Sequence, residues 1–280
     1  MTLLGAAQIR ELAAALDLKP SKSLGQNFVI DSNVCTKIVR TAAVGPTDVA
    51  LEIGPGLGSL TLALLESAES VIAVEIDPRL AQQLPLTVAD LFEHPEKLTV
   101  INKDALAIHT LPKDPTVLVA NLPYNVSVPV LLHLLEVFPT LRTGVVMVQA
   151  EVADRLAAKP GTKDYGIPSV KAAWWADVKG AGSVSRSVFW PAPNVDSKLV
   201  GFTRRPTPGD EELRKKVFTI IDAAFAQRRK MLRSALSTLY GSSSAAEEIL
   251  IRAKIDPTLR GEALEIDGFC AIAAVAPDIF

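Results

Sequence analysis

Much is scarce in this 280-residue chain. It holds two cysteines, Cys35 and Cys270, too few for a disulfide framework or a thiolate metal cluster. No metal is therefore expected, and a reducing cytoplasm is the default compartment. No apolar run approaches the ~18 residues that a membrane-spanning helix needs. The nearest, "VLLHLLEVF", is broken by His133 and Glu136, so no membrane role is expected. The N-terminal "MTLLGAAQIRELAAALDLKPSK" lacks a cationic start, a long apolar centre and a small-residue cleavage site, and reads as mature protein. Glu11 and Asp17, with Arg10 as the single arginine of the opening residues, argue against a transit peptide. The chain also lacks a basic excess: its net charge is −2, which taken alone argues against nucleic-acid binding. No internal repeat or low-complexity tract is visible.

Apolar residues are abundant at 49%, enough for one large α/β domain and a smaller one. "AAQIRELAAAL" reads as a helix and "DLKPSKSLGQNF" as a loop. Asp31 or Ser32 would cap a helix running to about Ala43. Alternation follows. "DVALEI", "SVIAVEI", "KLTVIN", "TVLVAN" and "TGVVMVQ" read as strands, and "GSLTLALLESA", "DPRLAQQLPLTVADLF" and "SVPVLLHLLEVF" as helices. Strand and helix in repetition predict a doubly wound, mostly parallel sheet. "AEVADRLAAKPGTKDYGIP" reads as a helix followed by a loop. "SVKAAWWADVKGAGSVS" and "SKLVGFTRR" read as late sheet elements. "RRPTPGDEE" reads as a linker, and everything beyond it as helical, including "EELRKKVFTIIDAAFAQRRKMLRSALSTLYG". The expected boundary lies near residue 205, giving domains 1–205 and 206–280. Residues 213–233 carry Arg214, Lys215, Lys216, Arg228, Arg229, Lys230 and Arg233 against Asp222 alone, so a local basic face is expected on a mildly acidic protein.

"LEIGPGLGSLT" sets Glu52, Gly54, Gly56 and Gly58 between a strand and a helix. Glycines there let the backbone turn tightly and approach a ligand, at the strand end where open α/β sheets bind. The spacing differs from the dinucleotide G-x-G-x-x-G, and a plain tight turn is the bland alternative. Glu75, about 20 residues beyond Gly54, stands where a carboxylate accepts from both ribose hydroxyls. Asp104, in "VINKDA", would accept from an adenine amine. Glu52 would help to position an amino-acid moiety. Three strand-end acids together suit an adenosine-bearing, cationic ligand such as S-adenosylmethionine.

Asn121-Leu122-Pro123-Tyr124 closes the next strand. An exocyclic adenine amine is a poor nucleophile, because its lone pair is delocalised into the ring. An acceptor on each N–H pulls the nitrogen toward tetrahedral geometry and frees the pair. The Asn121 side-chain carbonyl and the Leu122 backbone carbonyl would be those acceptors. Pro123 stiffens the turn, and Tyr124 offers a ring for a flipped base to stack on. The alternative is an Asn-Pro turn with a buried tyrosine.

"SLGQNF", "EIGPG", "VEID", "KDA", "NLPYN", "KDYG", "FWPAPNVDS" and "FAQRRKML" occur in this order over about residues 22–235. On them the chain resembles the KsgA-type small-subunit ribosomal RNA adenine dimethyltransferases. The resemblance implies a class I methyltransferase (Rossmann-like) domain with a small all-helical C-terminal RNA- or ribosome-binding domain. It implies transfer of four methyl groups from S-adenosylmethionine to two adjacent adenosines in the 3′-terminal hairpin of small-subunit rRNA. The substrate would be a late pre-30S particle and the enzyme a monomer. It also implies that Asn27 and Val29 touch the cofactor, under an N-terminal loop that closes over it, with Glu52, Gly54, Gly56, Glu75, Asp104 and Asn121 completing the site. Asn121, Leu122 and Tyr124 would hold the target base. Phe189 would stack on its other face, plain core being the alternative. Arg228, Arg229 and Lys230 would meet RNA phosphates, with a solvated helix face as the alternative. Trp190, Val29 and Val128 depart from the residues more common at their positions.

Three rivals stand beside this reading. One is the related Erm-type enzyme, which dimethylates large-subunit rRNA. Another is a DNA or protein amide N-methyltransferase, which the N- and C-terminal blocks disfavour. The third is a ribosome-assembly factor acting mainly by binding.

Overall fold

The computed structural model describes residues 3–19 and 26–277. The segment read as the loop "DLKPSKSLGQNF" is therefore described only at its ends, and residues 20–25 lie outside the described residues. The chain opens with α1 (Ala6–Ala15), the short strand β1 (Phe28–Val29) and α2 (Ser32–Thr41). Asp31 caps α2, its side chain accepting from the Asn33 N–H at 2.9 Å, which satisfies one orphan donor of the first turn.

Alternating elements follow: β2 (Val49–Ile53), α3 (Ser59–Ser67), β3 (Ser70–Glu75), α4 (Pro78–Leu91), β4 (Leu98–Asn102), β5 (Val117–Asn121), α5 (Ser127–Val137), β6 (Thr143–Gln149) and α6 (Ala150–Leu156). α4 starts where the sequence signals it, with Asp77 at the cap accepting from the Arg79 N–H and Pro78 in the first turn. Next come α7 (Ile167–Ala172), β7 (Ala176–Val184), β8 (Phe189–Trp190) and β9 (Ser197–Arg204).

The main sheet has the order β4-β3-β2-β5-β6-β9-β7. β2 pairs in parallel with both β3 and β5, and β3–β4 and β5–β6 are parallel too, whereas β9 runs antiparallel to β6. β2 and β3 are buried along their whole length, as a sheet covered on both faces requires. The chain winds outward from β2 through β3 to β4, then returns to β5 on the other side. The strand order thus reverses between β2 and β5, and open sheets of this kind bind ligands at such a crevice, outside the carboxyl ends. Away from that edge, the half-buried Arg204 guanidinium donates to the carbonyls of Leu141 (2.6 Å), Leu135 (2.8 Å) and Phe138 (2.9 Å). Of these, the Leu135 carbonyl is one that the end of α5 leaves without a helical partner.

The remaining helices are α8 (Glu211–Ala226), α9 (Leu232–Ala235), α10 (Ser237–Tyr240), α11 (Ser243–Arg252) and α12 (Ile266–Val275). Val217, Ile220 and Ile221 of α8 and Phe269 and Ile272 of α12 are fully buried. The chain divides into two compact units, 1–153 with 179–204 and 154–178 with 205–280.

Three expectations are corrected here. A single cut near residue 205 misses residues 154–178, which belong to the second unit because Trp174 and Trp175 pack edge-on against Phe218 of α8, at 6.2 and 5.5 Å. Residues 169–172, read as sheet, form α7 together with Ile167 and Pro168, read as the end of a loop, and Pro168 lies in its first turn. The long helix read through "AFAQRRKML" stops at Ala226, and Gln227–Met231 form a turn before α9.

Candidate active site

A cleft opens at the carboxyl ends of β2, β3, β4 and β5. It is lined by Asn27, Val29, Glu52, Gly54, Gly56, Glu75, Asp104 and Asn121, together with Gln26, Phe28, Ile76, Lys103, Pro123 and Val130 among others. Eight residues singled out from sequence as cofactor ligands thus converge on one concavity. Three carboxyl groups and one amine line it, a lining rich in hydrogen-bond acceptors and poor for a phosphate.

The turn after β2 carries Gly54 at φ 68° and Gly56 at φ 58°, in the left-handed region where a side chain is disfavoured. At Gly56 a Cβ would also lie 2.9 Å from the Phe28 ring, so glycine lets β1 close down on the turn. β1 is anchored there: Ser59 at the start of α3 donates its hydroxyl to the Val29 carbonyl at 2.7 Å.

Glu75 is buried, and its two oxygens are each held by a backbone N–H, Gly56 at 3.1 Å and Asp77 at 2.9 Å. Burial raises this carboxyl above its ordinary value, against the pull of the Asp77 and Gly56 N–H groups. Glu52 is 1% exposed and accepts from the Thr61 hydroxyl at 2.7 Å. Burial pushes its carboxyl up to about 8; the Thr61 bond opposes this and the Glu75 charge adds to it. The exposed Asp104 turns the chain after β4 by accepting from the Leu106 N–H at 2.9 Å.

Asn121 ends β5. Its Nδ2 donates to the Asn27 carbonyl at 3.1 Å, which fixes the amide's orientation. Its Oδ1 is buried with no hydrogen-bond partner. A buried carbonyl without a donor costs free energy of about 1–3 kcal/mol, so this atom is poised for a donor from a ligand. Leu122 is buried, and its N–H donates to the Met147 carbonyl at 3.1 Å, extending the β5–β6 pairing into the turn. Tyr124 is half-buried, its hydroxyl 2.7 Å from the Ser197 hydroxyl. Burial raises the phenol above its ordinary value, and the Ser197 bond opposes that.

Comparison with known proteins agrees with this geometry. The family model described as ribosomal RNA adenine dimethylase matches residues 18–276. The chain belongs to the ribosomal RNA adenine dimethylase family. Relatives named ribosomal RNA small subunit methyltransferase A are 59% identical in Leifsonia xyli, over 98% of this chain and 99% of the relative, and 58% identical in Streptomyces griseus, over 99% and 96%. A crystal structure of a dimethyladenosine transferase from Plasmodium falciparum superposes with a TM-score of 0.73 at 24% identity, covering 88% of this chain and 95% of that one. That of the 23S rRNA methyltransferase ErmE gives 0.66 at 25% identity, covering 89% and 98%. The fold is that of the class I methyltransferases, and this member of the dimethylase family is an enzyme.

Within the dimethylase-family chain, Phe189 and Arg228 are both engaged by neighbouring residues. Phe189 is 3% exposed in the apolar core, paired across β8–β1 with Val29; like Leu122 and Tyr124, it is not among the residues that line the cleft. The neighbouring Trp190, only partly buried, stacks on Phe28 at 6.3 Å. Arg228, expected to be free for phosphates on a helix face, lies in the turn after α8 and pairs with Glu262 at 2.9 Å. Arg229 and Lys230 are exposed in the same turn. Sequence reading missed Ser197, although it ends the quoted "FWPAPNVDS" block. It also missed Thr61, one helical turn into α3 and thus within reach of the preceding strand end.

Proposed function

We propose that this protein dimethylates the N6 amines of two adjacent adenosines in the 3′-terminal hairpin of small-subunit rRNA. The methyl donor is S-adenosylmethionine and the substrate a late pre-30S particle in the cytoplasm, met by a monomer. Unit 1 carries the transfer and unit 2 docks RNA. The observation that carries the reading is the buried, unpartnered Asn121 Oδ1 beside an acidic cleft. The names of the relatives at 58–59% identity favour the small subunit over the large.

The residues fit the cofactor. Glu75, its oxygens already oriented by two backbone N–H groups, retains lone pairs for ribose hydroxyls. Asp104 would meet the adenine amine, and Glu52 the amino-acid end. The Gly54–Gly56 turn allows close backbone approach. Asn27 and Val29 close the wall from β1. When bound, S-adenosylmethionine supplies a sulfonium-activated methyl group. Asn121 Oδ1 and the Leu122 carbonyl accept the two N–H bonds of the target amine and localise its lone pair. Pro123 restricts the turn that presents the second carbonyl. Tyr124, held by Ser197, offers its ring to the base. The aligned encounter supplies much of the barrier reduction, and the methylated amine loses its proton to water.

The test is methyl incorporation from labelled S-adenosylmethionine into unmethylated small subunits, with large subunits alongside. Labelling confined to small subunits, in N6,N6-dimethyladenosine, is expected. Labelling of large-subunit RNA alone would move the protein to the activity named for ErmE, and labelling of neither would overturn the proposal.

A further inference from the structure

Residues 26–29 line the cleft one after another, and the same stretch reaches the acceptor amide. The Asn27 carbonyl accepts from Asn121 Nδ2 at 3.1 Å. That carbonyl sits on backbone fixed by two neighbours. The Val29 carbonyl accepts from the Ser59 hydroxyl of α3 at 2.7 Å, and the Ile30 N–H donates to the Val188 carbonyl at 2.8 Å. β1 pairs with β8 through Phe28–Trp190 and Val29–Phe189, and the Phe28 and Trp190 rings stack. One piece of chain thus serves as cleft wall and as support for Asn121. A primary amide fills the same space with its oxygen and nitrogen exchanged. Only one of the two arrangements offers an acceptor to an amine. A backbone carbonyl, which donates nothing, admits only that one.

We infer that the Asn27 main-chain carbonyl is the positioning group of the transfer: it turns Asn121 Oδ1 to the target amine, and so requires at position 121 a group that donates on one side and accepts on the other. The inference rests on the rRNA-methylation reading above. It accounts for an amide at this position in place of the stronger acceptor, a carboxylate. An ionised carboxylate has acceptors on both sides and no proton. It would set an anionic oxygen against the Asn27 carbonyl, in a cleft that already holds three carboxyl groups. A protonated carboxyl donates and accepts as the amide does. Asn121→Asp should therefore transfer only while the new carboxyl is protonated. Around position 121, β2 brings Glu52, β1 and β6 bring no titratable side chain, the turn after β5 brings Tyr124, and α5 brings His133 and Glu136. Glu75, Lys103 and Asp104 line the same cleft. All of these are shared with wild type, so a ratio of rates isolates position 121.

The experiment is single-turnover methyl transfer to unmethylated small subunits by wild type and Asn121→Asp, with saturating S-adenosylmethionine, over about pH 5.5–8.5. The ratio of variant to wild-type rate should fall as pH rises, by up to about tenfold per pH unit, leaving transfer at the acid end alone. A ratio that is flat or rises with pH would overturn the inference, because an anion would then serve as acceptor beside the Asn27 carbonyl. A folded variant that transfers at no pH would overturn it too. Urea denaturation of the free proteins over the same range needs neither cofactor nor RNA, and shows that the variant is folded where transfer is read. Burial and the facing carbonyl hold the new carboxyl above its unfolded value. Its stabilisation is then present below the unfolded value and lost as pH rises through the folded one. The urea midpoint of Asn121→Asp should fall further behind wild type as pH rises, and a constant gap would overturn the inference. Absent labelling by wild type would overturn the methylation reading, and with it any role in transfer. Labelling by wild type with a flat ratio would overturn the inference alone.

Discussion

Replacing Glu52 by Gln should change how stability depends on pH, and the direction is fixed by burial. Glu52 ends β2 at 1% exposure with the Thr61 hydroxyl on one oxygen, and its carboxyl is raised from 4.5 to about 8. The folded protein therefore holds this proton in a pH range where the unfolded chain has released it. The stabilisation is fully present below the unfolded value, is lost as pH rises, and is gone above about 8. A tenfold difference in proton affinity between the folded and unfolded chains is worth about 1.4 kcal/mol, so the ceiling is about 5 kcal/mol. Water reaching the cleft reduces that, and about 2–5 kcal/mol is expected. Gln keeps the size and a neutral polar group but cannot titrate. Urea denaturation of both proteins at about pH 5 and about pH 8.5 reads the difference. Because pH 5 already lies above the unfolded value, wild type should lose about 2–4 kcal/mol more than Glu52→Gln between these conditions. Parallel stability curves would refute the reasoning, since they would mean that Glu52 ionises in the folded cleft as it does in the unfolded chain.

Other perturbations separate the roles of the site residues. Tyr124→Phe keeps the ring and loses the bond to Ser197, so melting should show a loss of about 1 kcal/mol, and transfer should fall far less than in Tyr124→Ala, whose ring is gone. Gly56→Ala forces a Cβ into the left-handed region, at about 1–2 kcal/mol, and 2.9 Å from Phe28. Calorimetry should show cofactor affinity reduced at least tenfold. Arg204→Met removes the donor shared by three carbonyls around the end of α5. Denaturation should show a loss of about 2–4 kcal/mol with cofactor affinity unchanged, because the arginine lies away from the cleft.

The parallel strands were legible because their apolar runs are continuous, a pattern that a sheet covered on both faces demands. The ends of α2 and α4 were legible because Asp31 and Asp77 are local caps. The cleft was legible because its ligands sit at strand ends, where chain order alone brings them together. Contacts between distant residues were not. Nothing local in "AFAQRRKML" stops a helix. The turn at 227–231 exists because Arg228 bonds to residues 162, 163 and 262, and tertiary bonding overrides propensity there. α7 did carry a signal, Pro168 after Gly166, but the apolar and aromatic "AAWW" pointed to a strand. Phe189 was ambiguous because an aromatic residue serves a core or a base equally well in sequence, and its pairing with Val29 across β1 and β8 spans 160 residues. The Tyr124–Ser197 and Asn121–Asn27 bonds span 73 and 94 residues, beyond any periodicity.

The unpartnered Asn121 Oδ1 is the central feature, and one paired measurement addresses it: cofactor affinity and single-turnover methyl transfer to small subunits, for wild type and Asn121→Ala. Transfer abolished, with affinity held within a few-fold, is the expected result. Transfer at a rate near wild type would contradict the assignment of that oxygen as an acceptor for the adenine amine.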